Sequence, residues 1–426
     1  MILLYKILTK IKKKTIIMLD ERHLKTTMAG FGIGRSVYFQ QWTFDRPMYV
    51  SKKENEKLIA LQKVMYKMIV HFVRNYGDYQ ELMPLSAEAT HVLKIFEKKP
   101  YQPGTYRTDF VYDPEGKMRI IEITCRFALN GMFVPAILNP LAEDYRKDKH
   151  PDLATNDHYS GIEKYLCSLI GDAKRIIILT GGDRRNSSKM YADIFRISGI
   201  PVSFVEYQDL NENEDDFSDA WVISELALEE IEALSEATVK KLADCNIIND
   251  FRTVMLIHDK RFFSVLGDEH LRATALSKDE INTLDEFYIP TYGSNQEPEV
   301  WEQARRNKQD WIIKHRSLGK SQQIYAGPVT SPEKWEEICT GTDLENLVLQ
   351  RWIPQRKVEG TVAGEKVSDY ITGTALFFND RYFGLGDFRT SSFPVTNVVD
   401  HRKRFSLVLA EDRPELTEGQ FQSLES

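Results

Sequence analysis

Two strand-like runs, Tyr106-Arg107-Thr108-Asp109-Phe110 and Ile120-Ile121-Glu122-Ile123-Thr124, constrain the fold of this chain more than any other feature. The segment between them holds Asp113-Pro114-Glu115-Gly116-Lys117, a turn by composition. Proline presets φ there and glycine accepts φ > 0. Pairing as a hairpin would bring Asp109 and Glu122 together on one face. Close carboxylates repel unless a proton or a cation neutralises them. Removing either one should therefore leave the ligand-free protein at least as stable as before. Hard oxygen ligands of this kind suit Mg²⁺, which is typically held by one or two carboxylates plus substrate phosphates.

At 426 residues the chain should divide into two or three lobes. A net charge of -7 speaks against a nucleic-acid partner, which would call for a basic field. Cys125, Cys167, Cys245 and Cys339 are scattered, with no CxxC pair, so neither a zinc site nor a disulfide framework is expected. A reducing cytoplasm is the simplest compartment. The apolar start, Met1 to Leu8, is interrupted by Lys6 and followed by Lys12-Lys13-Lys14. It is too short to span a bilayer and has the wrong order for a signal peptide, so no membrane partner is expected. The simpler reading is a frayed helix or an overlong start, with Met18 as an alternative first residue.

Apolar spacing predicts helices over Lys53 to Asn75 and Ser86 to Lys98. The continuous run Arg175-Ile176-Ile177-Ile178-Leu179 reads as a buried parallel strand. A Gly181-Gly182 turn, a helix from Ser187 to Ser198 and a strand Val202 to Tyr207 complete a βαβ unit. A further strand at Ala220 to Ile223 and a helix from Glu229 to Asp244 extend it. The remainder alternates strand and turn signals. Trp311 to Lys314 and Leu347 to Gln350 are strand-like, and Asn379-Asp380 should turn a hairpin between Tyr370 to Phe378 and Tyr382 to Phe388.

Several motifs fail on inspection. Gly319-Lys320-Ser321 lacks the P-loop's earlier glycine, because Lys314 stands there. Thr180-Gly181-Gly182-Asp183 follows a strand without completing a dinucleotide fingerprint. The nine histidines form no H-x-x-x-H pair and no G-x-S-x-G is present, so zinc and serine hydrolases have no foothold. Other positions are more suggestive. Lys314 ends a strand beside the flexible Ser317-Leu318-Gly319 loop, whose backbone donors could cradle phosphates. Taken alone, such a lysine is more often a solvated surface residue. Lys260 precedes Phe262-Phe263, Gln350 closes a strand at a possible hinge, and Arg389 follows the glycines of Gly384-Leu385-Gly386. Arginine is suited to clamping a transferring phosphoryl group, although a surface ion pair would also account for it.

The order of these features resembles the circularly permuted ATP-grasp ligases: the synthetase domain of glutathionylspermidine synthase and, more distantly, eukaryotic glutathione synthetase. The resemblance runs from about Tyr106 to Asp400. It implies a mixed α+β and α/β architecture, a permuted ATP-grasp with a small Rossmann-like lobe and an N-terminal helical segment. The expected divisions are 1–100 for the helical segment, 101–170 for the metal- and carboxylate-binding part, 171–250 for the small lobe, and 251–426 for the nucleotide-binding part. It also implies ATP and Mg²⁺ as cofactors. Asp109 and Glu122 would hold the metal, with Thr124 standing where the family usually has asparagine. Arg107 would lie near the reacting carboxylate. Lys260 and Lys314 would contact ATP phosphates, Gln350 would mark the adenine hinge, and Ser317 and Gly319 would belong to a closing phosphate loop. Arg389 would stabilise the transition state. The family's loop glutamate has no counterpart among Ser317-Leu318-Gly319-Lys320.

The implied reaction is amide formation. ATP phosphorylates a substrate carboxylate, an amine attacks the acylphosphate, and ADP and phosphate leave. The partners would be a small-molecule or peptide carboxylate and an amine co-substrate. Two alternatives remain open at this stage: an inactive nucleotide-binding protein on the same fold, and an α/β binding module unrelated to nucleotides. The sequence sets neither the acid, the amine nor the oligomeric state.

Overall fold

A computed structural model describes residues 42–422, apart from 128–130, 154–157, 172, 183–191, 193, 197, 213–216, 295, 320, 397–399, 401 and 418. The expectations placed on the N-terminal run and Met18 lie outside the described residues, as do most of the helix expected after Gly182 and Lys320 of the loop after Lys314.

The expected hairpin forms. Strand Thr105–Tyr112 pairs antiparallel with Met118–Thr124. The turn closes as its composition requires: Asp113 Oδ1 accepts from Lys117 N at 2.8 Å, and Gly116 sits at φ 78°. The ladder slips once. Asp109 faces Glu122 and Phe110 faces Ile120, leaving Ile121 as an unpaired bulge. The slip reverses the side-chain phase, so Ile120 and Ile123 both point to the core while Glu122 and Thr124 share the opposite face with Arg107 and Asp109.

This hairpin is one end of a seven-stranded sheet in the order Arg402–Arg404, Phe388–Ser391, Glu365–Phe378, Thr105–Tyr112, Met118–Thr124. Strands Lys357–Val362 and Arg381–Leu385 also pair with Glu365–Phe378. One face carries Phe110, Ile371, Ala375, Phe377 and Phe388 into the main core. Gly373 is required there, since a Cβ would stand 2.4 Å from the Phe110 ring. Helix Lys52–Arg74 contributes to the same core. A Ser51–Glu54 capping box starts it, and Leu58, Leu61, Met65, Met68, Ile69 and Phe72 are fully buried.

A second sheet is parallel throughout, in the order Val202–Glu206, Arg175–Thr180, Ala220–Ser224, Asn246–Ile248. Buried Asn249, at φ 59°, ties its end to the hairpin: Oδ1 accepts from Thr105 N at 3.2 Å and Nδ2 donates to Cys125 O at 3.2 Å. The helix expected over Glu229 to Asp244 is two helices, Leu228–Glu232 and Glu236–Ala243, because Ser235 caps the second through Thr238 N.

The third sheet is small and antiparallel: Ile324–Ala326, Trp311–His315, Leu347–Arg351, Thr291–Gly293. One face packs on its own core around Trp301, Trp335, Ile313 and Leu349. The other presents Ile312, Lys314, Gln350 and Thr291. The stretch from Phe251 to Phe287, read as strands and turns, is instead a run of short helices. Asp250, Asp268 and Ser277 cap three of them, a signal stronger than their brief apolar spacing. Among the described residues, no helix is long and apolar enough to cross a membrane.

Candidate active site

The non-core face of the large sheet has two parts. Leu376 and Phe378 are covered by the cluster that includes Met132, Ile162 and Leu166. Beside them lies a charged row, fixed by register: Lys403 faces Arg389, Arg389 faces Thr372, Thr374 faces Asp109, and Asp109 faces Glu122.

Asp109 is 1 % exposed. Arg107 forks onto it, Nε to Oδ1 at 2.6 Å and Nη2 to Oδ2 at 2.9 Å. Arg389 Nη2 reaches across the intervening strand to the same Oδ2. Small side chains on that strand allow the crossing, and Gly386 lets the backbone close over Thr374, where a Cβ would stand 2.2 Å from Oγ1. Gly131, at φ 89°, lies on Arg107; a Cβ there would stand 2.5 Å from Cδ. Burial lowers the proton affinity of Arg389, but Asp109 and Asp387 more than restore it, so its pKa lies above the ordinary value. Arg389 Nε is buried with no hydrogen-bond partner among the described residues. Such a donor has a place for an acceptor from a ligand.

Glu122 lies on the edge strand and is 24 % exposed at its side chain. Lys260 Nζ stands 3.3 Å from Oε1 and donates to Leu318 O at 2.8 Å. Lys314 Nζ donates to the bulged Ile121 carbonyl at 2.8 Å and to Gln350 Oε1 at 2.7 Å. The bulge thus frees the carbonyl that joins the two sheets. Gln350 Nε2 in turn donates to Thr291 Oγ1 at 2.9 Å. Burial pushes the Glu122 pKa up, but Lys260, Lys314, Arg107 and His258 together pull it down to about 2. Burial lowers Lys314 to about 8, against the pull of Glu122. Burial and Lys260 lower His258 to about 4.

The loop after Lys314 is tied at both ends. Ser317 N and Leu318 N donate to His315 Nδ1, each at 3.2 Å, and Ser321 Oγ donates to Thr396 O at 2.7 Å. Gly319 is open, with nothing within 4 Å of a Cβ position. Arg107, Asp109, Arg389, Glu122, Thr124, Lys260, Lys314 and Gln350 therefore occupy one neighbourhood, and Ser317 and Gly319 lie on the loop bordering it. Thr124 faces Arg107 across the ladder. Among the described residues, no group of three or more His, Cys, Asp or Glu could hold a metal ion.

The expectation that Asp109 and Glu122 repel one another needs correction, because guanidinium and ammonium groups flank both. Sequence reasoning also left out Lys403, Asp387, Thr291 and His258. Lys403, buried opposite Arg389, stands 3.4 Å from Asp387 Oδ2. The basic run Arg402-Lys403-Arg404 was the available signal.

Comparison with known proteins adds a fold. A family described as the AnkG N-terminal domain matches residues 60–256, a little under half of the chain. The match includes Arg107, Asp109, Glu122 and Thr124 and stops short of Lys260, Lys314, Gln350 and Arg389. No curated protein matches the chain. Among solved structures, a glutathione synthetase-like effector from Globodera pallida, in its apo form, is similar at 12 % identity with a TM-score of 0.56. The match covers 93 % of this chain and 97 % of that one. The chain is thus a mixed α and β protein whose fold is similar to that of a glutathione synthetase-like protein.

Proposed function

We propose that this chain is an ATP-dependent carboxylate–amine ligase of the ATP-grasp kind, with nucleotide bound between the small sheet and the edge of the large one. One observation carries the reading. Two buried lysines from different elements, Lys260 and Lys314, converge on Glu122 where the two sheets meet. Lys260 and Lys314 set two ammonium groups beside the single Glu122 carboxylate, an arrangement suited to an anion. A carboxylate and a γ-phosphate are both anionic and approach only where such charge is fixed in advance.

Each residue then has a physical task. Lys260 and Lys314 hold the phosphates, Lys314 exchanging its Ile121 and Gln350 contacts for phosphate oxygens. Gln350 and Thr291 fix the position of Lys314 on the small sheet. Arg107 and Arg389 orient the acid and stabilise charge on the transferring group, and the unpartnered Arg389 Nε supplies a ready donor. The loop containing Ser317 and Gly319 keeps water from the acylphosphate.

For Mg²⁺, the residues fit in a reduced form. Glu122 is ionised, partly exposed and beside Thr124, and one carboxylate with substrate phosphates is an ordinary Mg²⁺ donor set. Bound there, the ion would neutralise phosphate charge.

The test is release of ADP by purified protein with Mg-ATP across pools of carboxylic acids and amines. ADP release that requires both an acid and an amine is expected. Mg-ATP binding without turnover with any pair would support the second reading, a nucleotide-binding protein that is not a ligase. The double hold on Asp109 and the missing loop glutamate favour that alternative. No binding of Mg-ATP would remove both.

A further inference from the structure

We infer that Asp109 is the shared counter-ion that positions Arg107 and Arg389 and is not a metal ligand, so that the divalent cation of the ligase reading falls to Glu122 alone. The metal half of this inference rests on that reading; the counter-ion half does not.

Three observations support it. First, both carboxylate oxygens of Asp109 are engaged: Oδ1 by Arg107 Nε, and Oδ2 by Arg107 Nη2 and Arg389 Nη2. Ligation of a cation by Asp109 would mean placing further positive charge against two guanidinium groups, or stripping one of them of its partner in a buried setting. Second, Asp109 is on an inner strand, flanked by Glu365–Phe378 on one side and Met118–Thr124 on the other, and is 1 % exposed. Glu122 is on the edge strand and 24 % exposed at its side chain. An ion arriving with a nucleotide meets Glu122 first. Third, among the described residues Asp109 is the one group to which the Arg389 side chain donates a hydrogen bond. Its neighbour Asp387 is 3.4 Å from Lys403 Nζ. Without Asp109, the Arg389 side chain loses the contact that carries it across the strand between them. A shared carboxylate also couples the two arginines, because displacing either one changes the hold on the other.

The experiment compares wild type with Asp109→Asn, Glu122→Gln, Arg389→Gln and the Asp109→Asn/Arg389→Gln double variant. Ligand-free thermal melts come first. Asp109→Asn is expected to lower Tm by several degrees, and the double variant to lie no more than slightly below Asp109→Asn, the sign of a shared interaction. Mn²⁺ affinity in the presence of ATP is read by electron paramagnetic resonance. Glu122→Gln should weaken it at least tenfold and Asp109→Asn less than twofold, the separation expected if Glu122 and not Asp109 meets the ion. Tripolyphosphate affinity without metal supplies the positioning readout. Arg389→Gln should weaken it about fivefold in the wild-type background and less than twofold in the Asp109→Asn background. An unchanged or raised Tm for Asp109→Asn, or a loss of Mn²⁺ equal to that of Glu122→Gln, overturns the inference. If wild type binds neither Mn²⁺ with ATP nor tripolyphosphate, the nucleotide reading and the metal half fall together. The melts and the double variant still decide the counter-ion role.

Discussion

Asp109 and Glu122 are a directly opposed pair on one hairpin, yet their surroundings differ at almost every point. Asp109 is shut in, with three N–H groups from two arginines on its oxygens. Glu122 borders the cleft, with one lysine at 3.3 Å and a quarter of its side chain exposed. Position in the sheet accounts for the difference. The inner strand has neighbours that deliver Arg389 from one side, while beside Glu122 on the edge strand stand Lys260, from the helical run, and Lys314, from the small sheet. Carboxylates that look equivalent in sequence therefore take different work: one organises cations, the other remains available to share them with a ligand.

The comparison sharpens first at Arg389. If it acts on charge that develops during phosphoryl transfer, Arg389→Ala should reduce kcat on the order of 100-fold, with ATP affinity changed much less. Lysine should restore little, since a point charge cannot reproduce a planar fork. Steady-state kinetics with an active substrate pair checks this, and a near-normal kcat would remove Arg389 from catalysis.

Next in size is stability. Breaking a buried pair by removing one partner is costly, so Asp109→Asn should destabilise the ligand-free protein by about 3 kcal/mol. Glu122→Gln, on the edge strand and partly open to solvent, should cost less. Denaturant titration separates them; equal losses would erase the distinction between the two positions.

A smaller effect concerns pH at the Glu122 end. Lys314 is held near 8, below its ordinary 10.5, by burial. A bound phosphate favours its charged form, so nucleotide affinity should be flat below about pH 8 and fall as pH rises above it, by up to about tenfold per unit. Calorimetry across pH 7 to 9.5 measures this, and Lys314→Gln should flatten the profile.

The smallest expected change lies on the acid side. Glu122 is lowered to about 2 from 4.5, so its stabilising contribution is present above 4.5 and lost as pH falls toward 2. His258 is lowered to about 4 from 6.5, so the unfolded chain takes up its proton first and stability falls as pH drops from 6.5 to 4. Glu122→Gln should remove the lower of these two segments from a stability–pH curve and extend the upper one, because the Glu122 charge favours protonated His258.

Much of this was legible in the sequence where the signal was local. Pro114 and Gly116 marked the hairpin turn and so brought the strands of Asp109 and Glu122 together, but the two share a face only through the bulge. The Ile176 to Leu179 run marked a parallel strand by its unbroken apolarity. The bulge at Ile121 was not legible, because a one-residue slip depends on what the neighbouring lobe offers the freed carbonyl, here Lys314. The hold on Asp109 was also hidden, since Arg389 arrives from 280 residues away through an intervening strand. The short helices between Phe251 and Phe287 escaped because six to ten residues give too few turns for periodicity, although Asp250, Asp268 and the Ser277–Glu280 box announced the starts of three of them. Resemblance in motif order reached further than periodicity, gathering Lys260, Lys314, Gln350 and Arg389 into one expected site.

The central claim is that the seam between the two sheets binds a nucleoside triphosphate, and thermal denaturation with saturating Mg-ATP tests it most directly. Ligand binding to the native state raises apparent stability by mass action, about 2.7 kcal/mol at a hundred times Kd. The account predicts a clear rise in Tm for wild type that is largely absent in Lys260→Ala and Lys314→Ala. A wild-type melting curve unmoved by Mg-ATP would contradict it.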